Sequence, residues 1–230
     1  MILNLIYPPL CLHCEATVEN GKRLFCKGCG GFFELIDPST RCIYCFNETA
    51  GRSPCADCIR KKCWGLKIAS ALDYLGAVST LVKQLKEGRM PYLAKTASAF
   101  MLAQLNHLVT SRGWPLPDLI VPVPSRNGFQ GMNHAYLIAN QLARSLFIPS
   151  LPLVKRRLGD LSQARLSKAQ RETLPADSFY LKKPRALDDK IILLIDDVVT
   201  TGTTLRRTAD ALRASFPAHI YALTLARTVK

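Results

Sequence analysis

The sequence predicts an α/β protein: a parallel sheet with helices on both faces over residues 67–230, preceded over residues 1–66 by a small cysteine-rich domain stapled by metal. Three observations predict it. Eight of the nine cysteines fall into four C-x-x-C pairs within the first quarter of the chain. Beyond Cys63 cysteine vanishes, and segments with helical apolar spacing alternate with short, near-continuous apolar runs, the pattern of strands buried on both faces. One such run, "IILLIDDVVTTGTTL" from Ile191 to Leu205, passes from five aliphatic side chains into two adjacent aspartates and then into four threonines around one glycine.

With 230 residues, 48% of them apolar and 21% charged, the chain is long enough for one large domain plus a small one. No apolar run approaches the roughly 20 residues of a membrane-spanning helix, and the opening "MILNLIYPPL" lacks the basic region of a secretory signal. The expectation is a cytoplasmic protein without membrane insertion. The "PLC" before Cys11 is a poor lipoprotein site, because bulky Leu12 follows directly and Cys14 lies three residues on.

The pairs Cys11/Cys14, Cys26/Cys29, Cys42/Cys45 and Cys55/Cys58 come first along the chain. A C-x-x-C turn presents two thiolates from one knuckle, so two knuckles supply the tetrahedral sulfur set that zinc prefers. Two zinc ions are expected, with a single ion as the alternative. Sequential pairing and interleaved pairing both satisfy the spacing. Disulfides fit a reducing compartment poorly, and a redox pair does not recur four times. Cys63 stands alone. His13, inside the first knuckle, reads as a loop histidine rather than a substitute ligand. Turn-rich stretches such as "NGKR", "CGG", "DPST" and "GRSPC" suit short ribbons held by metal.

Helical spacing then appears in Leu93, Ala97, Phe100, Met101, Leu105 and Leu108, and again from Tyr136 to Leu146. Short buried runs appear in "DLIVPVP", "IILLI" and "IYALTLA". Ile191–Ile195 reads as a central parallel strand, and such sheets bind ligands at the carboxyl ends of their strands, where Asp196 and Asp197 stand. Beyond Val198 and Val199, "TTGTT" opens the helix "TTLRRTADALRAS", whose first amides lack intrahelical partners and favour an anion. Gly202 lets the backbone close on a ligand; Thr200, Thr201, Thr203 and Thr204 add hydroxyls around it. Two carboxylates beside a phosphate cradle suit the vicinal hydroxyls of a sugar phosphate, or their magnesium-bound waters. A capped turn with two solvated acids is the bland alternative.

Hydrophobic strand, two acids, two hydrophobics and T-T-G-T-T resemble the phosphoribosyl-pyrophosphate (PRPP) loop of type I phosphoribosyltransferases. That resemblance implies a type I phosphoribosyltransferase-like domain in which Asp196 and Asp197 meet the ribose hydroxyls and carry the catalytic role. Thr200 to Thr204 would hold the 5′-phosphate, and Val198 and Val199 would complete the loop. With the knuckles ahead of it, and with "VPVPS…GMNHA" and "LSQARLSKAQR" between, the whole chain is similar to the ComF family, associated with DNA uptake in natural competence. The similarity implies a zinc ribbon joined to a phosphoribosyltransferase domain, magnesium with PRPP, and a competence helicase or other DNA-processing protein as partner.

The chain departs from that family at "PVPSRNGFQGMNH", where Gln130 and Met132 replace the usual arginine and phenylalanine; Arg126 is a candidate substitute for diphosphate contact. After an expected strand at Leu151–Val154, "KRRLGDLSQARLSKAQR" resembles the lid of such enzymes, with Arg156, Arg165 and Arg171 as diphosphate candidates and a solvated helix as the alternative. Gln163, Leu166 and Arg171 match the family's next loop, whereas Leu174 replaces its asparagine. The formal charge of +14 is uneven: residues 67–230 hold 23 Lys and Arg against 11 Asp and Glu. Lys155, Arg156, Arg157, Lys182, Lys183, Arg185, Arg206 and Arg207 exceed the needs of one small ligand and point to single-stranded DNA as a second partner. Tyr92, Phe129 and Tyr180 could stack on bases, with core packing as the simpler role.

Overall fold

The computed structural model describes residues 8–18, 24–63, 65–87, 90–125, 133–157, 179–182 and 186–229. In the cysteine-rich part the chain makes the same turn twice. Leu10 bridges Thr17 and Arg41 bridges Glu48, both antiparallel. Inside each turn a residue takes positive φ, Glu15 at 60° and Phe46 at 64°, and the amides of Cys11 and Cys42 donate to the carbonyls of Ala16 and Asn47. A short helix follows each turn and is opened by a cysteine, α1 (Lys27–Gly30) by Cys26 and α2 (Ala56–Arg60) by Cys55. Phe46 tolerates its unfavourable backbone because its side chain is fully buried, with the Arg112 guanidinium 5.2 Å from the ring centre.

Strands β1 (Lys67–Asp73), β2 (Leu119–Pro122), β5 (Ile191–Val199) and β6 (His219–Arg227) form one parallel sheet in the order β1-β6-β5-β2. A separate ribbon pairs β3 (Val154–Arg156) with β4 (Phe179–Leu181), antiparallel. The three apolar runs expected as strands are β2, β5 and β6. Their alternation fixes the layers: Leu193 and Ile195 enter one hydrophobic cluster, Ile192 and Leu194 the other. Helices α3 (Gly76–Lys86), α4 (Leu93–Arg112) and α5 (His134–Leu146) cover the first face. Helix α6 (Thr203–Arg213) and the β3–β4 ribbon cover the second. No described helix is long and apolar enough to cross a membrane.

Both expected long helices form. Gly113 ends α4 in the left-handed conformation, φ 62°, and Asn133 caps α5 by accepting from the Tyr136 amide. The stretch expected as a strand at Leu151–Val154 divides differently: the Leu151 amide hooks onto the Ile120 carbonyl beside β2, and β3 begins only at Val154. The segment 158–178 lies outside the described residues, and with it Gln163, Arg165, Leu166, Arg171 and Leu174. So do Arg126, Phe129, Gln130, Met132, Lys183 and Arg185.

The outer edge of β1 is covered by the cysteine-rich part. The Ile68 amide donates to the Tyr44 carbonyl (2.7 Å) and the Ile36 amide to the Ala71 carbonyl (2.9 Å). Arginines complete the join. Arg227, 3% exposed at the end of β6, donates to the Cys45 carbonyl (2.6 Å) and to Asn47. Arg112 donates to the carbonyls of Pro38 and Arg41, and Arg41 pairs with Asp73 at 3.3 Å. Satisfying an otherwise open strand edge in this way removes a site of unwanted pairing.

Candidate functional site

Strand β5 runs through both acids and ends only at Val199, so Asp196 and Asp197 lie in the last turns of the strand, at the carboxyl edge of the sheet. Val198 and Val199 turn their side chains into the two hydrophobic clusters, leaving their backbone to the site. The Asp197 amide donates to Oδ1 of Asp196 at 2.9 Å. Burial pushes the Asp196 carboxyl up to about 8, helped by the neighbouring charge of Asp197 and opposed by Lys86. Asp197, 9% exposed, has a direct partner: Nζ of Lys86, the last residue of α3, lies 3.0 Å from its Oδ1.

The loop beyond the strand is built for close approach. Gly202 sits at φ 75°, and a Cβ there would come within 2.9 Å of Cδ1 of Ile68 on β1. Only glycine fits that position without strain. The Thr201 and Thr203 hydroxyls lie 2.9 Å apart, and the Thr203 amide turns toward the Thr201 hydroxyl at 3.4 Å. Thr200 and Thr201 are exposed, Thr203 and Thr204 half-buried at the first turn of α6. The structure therefore brings the two carboxylates, the threonine hydroxyls and a helix N-terminus to one crest, as the sequence reading expects. Among the lysine and arginine candidates, Arg156 lies on β3 with its guanidinium 5.4 Å from the Phe179 ring centre, on the α6 side of the sheet.

Two residues that the sequence reading missed complete the crest. Lys86 is one. The other is His134, at the start of α5, which feels the charges of Asp197 and Lys86 and the Lys86 carbonyl. Burial holds His134 below its ordinary range, with Asp197 opposing and Lys86 reinforcing the shift. Its Nδ1 is buried and has no partner among the described residues. The signal for Lys86 was present: Ala77, Val78, Leu81, Val82 and Leu85 have helical spacing and carry the lysine to the end of the helix. A shallow cleft of about 500 Å³ between Asn140, Arg144, Phe147 and Ser150 lies at the other end of α5 and takes no part in the crest.

In the cysteine-rich part the thiols gather in chain order. Cys11, Cys14, Cys26 and Cys29 form one group and Cys42, Cys45, Cys55 and Cys58 the other, all sulfurs of a group lying within 4.8 Å of one another. Sequential grouping is thus the one realised. In the second group the amides of Tyr44 and Cys55 point at the Cys42 sulfur (3.5 and 3.3 Å). Burial would raise the Cys42 thiol, but these backbone donors bring it to about 7, and the corresponding amides bring Cys11 to about 6. Burial pushes the Cys29 and Cys58 thiols up. Each group offers four soft ligands at tetrahedral spacing and could hold zinc. His13 keeps out of the first group, its Nδ1 2.9 Å from the Thr80 hydroxyl.

Residues 117–228 match the family model for the phosphoribosyl transferase domain. Over 230 residues, 98% of this chain and 100% of the relative, the chain is 29% identical to DNA utilization protein YhgH of Escherichia coli K12. It is 31% identical to the protein of the same name from Salmonella typhi over 180 residues, 76% of this chain and 78% of that one. Competence protein F of Haemophilus influenzae is 27% identical over 209 residues, 88% of this chain and 90% of the relative.

Proposed function

This chain belongs to the family of DNA utilization protein YhgH and competence protein F, and from that membership we propose that its crest binds PRPP in the service of DNA uptake. The observation that carries the reading is the junction of β5 and α6, two carboxylates followed within a few residues by a hydroxyl-lined loop on a helix N-terminus. The 5′-phosphate of PRPP sits against the first amides of α6 and the hydroxyls of Thr200, Thr201, Thr203 and Thr204. Asp196 and Asp197 accept the 2′- and 3′-hydroxyls of the ribose directly or through water.

The carboxylates are hard oxygen donors of the kind magnesium takes, and they are the residues that would hold its waters. Magnesium bound with PRPP supplies positive charge to balance the diphosphate. As a phosphoribosyltransferase the protein would break the bond between ribose C1 and diphosphate and form a bond from C1 to a nucleophile, with catalysis resting on position and electrostatics. A second reading, a PRPP or nucleotide sensor without turnover, is favoured by Gln130 and Met132 in the "QGMNH" loop. Release of diphosphate from PRPP, with and without bases or single-stranded DNA, separates the two.

Single-stranded DNA is the second partner of this reading. Lys155, Arg157, Tyr180 and Lys182 are exposed together on the β3–β4 ribbon, with the Arg157 guanidinium 5.8 Å from the Tyr180 ring centre. Cations beside an exposed ring suit a phosphate backbone and its bases.

The test of the PRPP reading is a thermal melt with calorimetric titration. PRPP with magnesium is expected to stabilise the fold by about 2.7 kcal/mol at a hundredfold excess over its dissociation constant, and ribose 5-phosphate by less. A wild-type protein indifferent to PRPP would end the reading.

A further inference from the structure

The crest has a positive wall that neither the family match nor the loop sequence assigns. Asp196 and Asp197 stand between two layers. On one side α6 opens with the anion loop, its core residues Leu205, Ala209 and Leu212 in the second hydrophobic cluster. On the opposite side α3 ends and α5 begins, both packed in the first cluster, and they deliver Lys86 and His134 to Asp197. A ligand with a phosphate in the loop and hydroxyls on the acids therefore extends its far end toward Lys86.

The lysine is suited to meet it. Its side chain is 46% exposed although its ammonium lies 3.0 Å from an almost buried carboxylate, so it can turn to a ligand without crossing the core. His134, whose buried Nδ1 has no partner among the described residues, feels the same charges. Burial keeps that imidazole neutral at neutral pH, so Lys86 is the charge and His134 a hydrogen-bonding neighbour.

We propose that Lys86 is a ligand-binding residue of the crest: it neutralises Asp197 in the free protein and contacts the anionic group on ribose C1 when the ligand is bound. The proposal rests on the reading of the crest as a PRPP site and names the residue that separates PRPP from ribose 5-phosphate. Lys86 exchanges one anionic partner for a stronger one, and no bond is made or broken in the step. A lysine held as a point charge suits a diphosphate, whose charge is spread over several oxygens.

Calorimetric titration of the full chain with magnesium and either PRPP or ribose 5-phosphate tests it, using wild type, Lys86→Met and Lys86→Arg. Loss of a hydrogen bond to a charged group predicts that K86M binds PRPP at least about tenfold more weakly. Ribose 5-phosphate, which lacks the group on C1, should bind K86M within about twofold of wild type. K86R, which keeps the charge, should recover most of the PRPP affinity. An equal loss for both ligands would make Lys86 merely the counter-ion that positions Asp197, and unchanged PRPP affinity in K86M would remove it from the site; either overturns the proposal. Failure of the underlying reading shows separately, in a wild type that binds neither ligand. Should K86M not fold, Lys86→Gln, which keeps a polar end on the stem but removes the charge, takes its place with the same expected and overturning results for the two ligands.

Discussion

Adjacent carboxylates at the crest face unequal surroundings. Asp197 has the Lys86 ammonium against it, whereas half-buried Asp196 stands beside a charge of its own sign and is pushed up to about 8. A carboxyl raised in the folded state favours folding while it is protonated. Its contribution is fully present below the unfolded value near 4, and it is lost as pH rises through about 8. Ligand hydroxyls need the carboxylate as acceptor, so binding releases a proton below that pH. PRPP affinity should therefore rise with pH between 6 and 8, by up to about tenfold per unit, and level off above. In Asp196→Asn, calorimetry should find that rise reduced to the part contributed by the titration of PRPP and His134. Replacing both acids by asparagine should lower PRPP affinity at least about tenfold, because hydrogen bonds to charged groups contribute about 1.5–3 kcal/mol each. The unliganded double variant should melt no lower than wild type, since removing the strongly raised Asp196 carboxyl offsets losing the pair between Asp197 and Lys86. Gly202→Ala tests the loop itself. At φ 75° and with Cδ1 of Ile68 in the way, the methyl group should cost about 1–2 kcal/mol in a denaturant melt and weaken PRPP binding as well. An alanine variant as stable and as tight-binding as wild type would refute the close approach.

At the scale of elements, β1 ties the cysteine-rich part to the crest, and it was the strand hardest to read. "KIASALD" offers small residues at its centre, Ala69, Ser70 and Ala71, where β-branched side chains would have announced a strand. Its centre is small because it packs tightly: all three are fully buried, and the Ser70 hydroxyl lies 2.7 Å from that of Thr224 on β6. The runs in β2, β5 and β6 were legible because long aliphatics on both faces leave a near-continuous apolar signature. Helix α3 carried an equally legible spacing, but its importance lay in Lys86, and no local pattern pairs that lysine with an aspartate on a distant strand. Nor does C-x-x-C spacing choose between zinc pairings; the repeated turn and short helix do, by placing the second knuckle over the first. The same join yields a prediction. Arg227→Met keeps most of the apolar stem but leaves the Cys45 carbonyl and Asn47 without their donor. Equilibrium denaturation should record a loss of about 2–3 kcal/mol. A loss within experimental error would mean that the cysteine-rich part is held to the sheet by its other contacts alone.

For the whole molecule the two cysteine groups are unequal, although their local folds repeat. The first contains exposed Cys14, whereas every cysteine of the second is half-buried or buried. The second is also anchored by Arg227 and by the hydrogen bond from Ile68 to Tyr44, one of the two residues between its first two cysteines. Ile68 in turn is the side chain on which Gly202 closes. A path of direct contacts thus runs from the second thiol group through Tyr44 and Ile68 to the anion loop. Elemental analysis should find close to two zinc ions per chain, each contributing an apparent binding energy of about 10–16 kcal/mol at neutral pH. A thiol-modifying reagent should release them in two steps, the ion on Cys11, Cys14, Cys26 and Cys29 first. Acid should release both only at a pH well below the range in which the metal-free thiols of Cys42 and Cys11 take up protons, because the ligands are thiolates and bound zinc holds them deprotonated. Removal of the first ion should leave PRPP affinity within about twofold of its starting value, whereas removal of the second should lower it by about fivefold or more, a coupling of roughly 1 kcal/mol. Titrating PRPP after each step, with released zinc followed by a chromogenic chelator, decides the matter. Simultaneous release of both ions would overturn the ranking of the two groups, and an anion loop equally tight with the second group empty would show that the contacts through Ile68 carry no coupling.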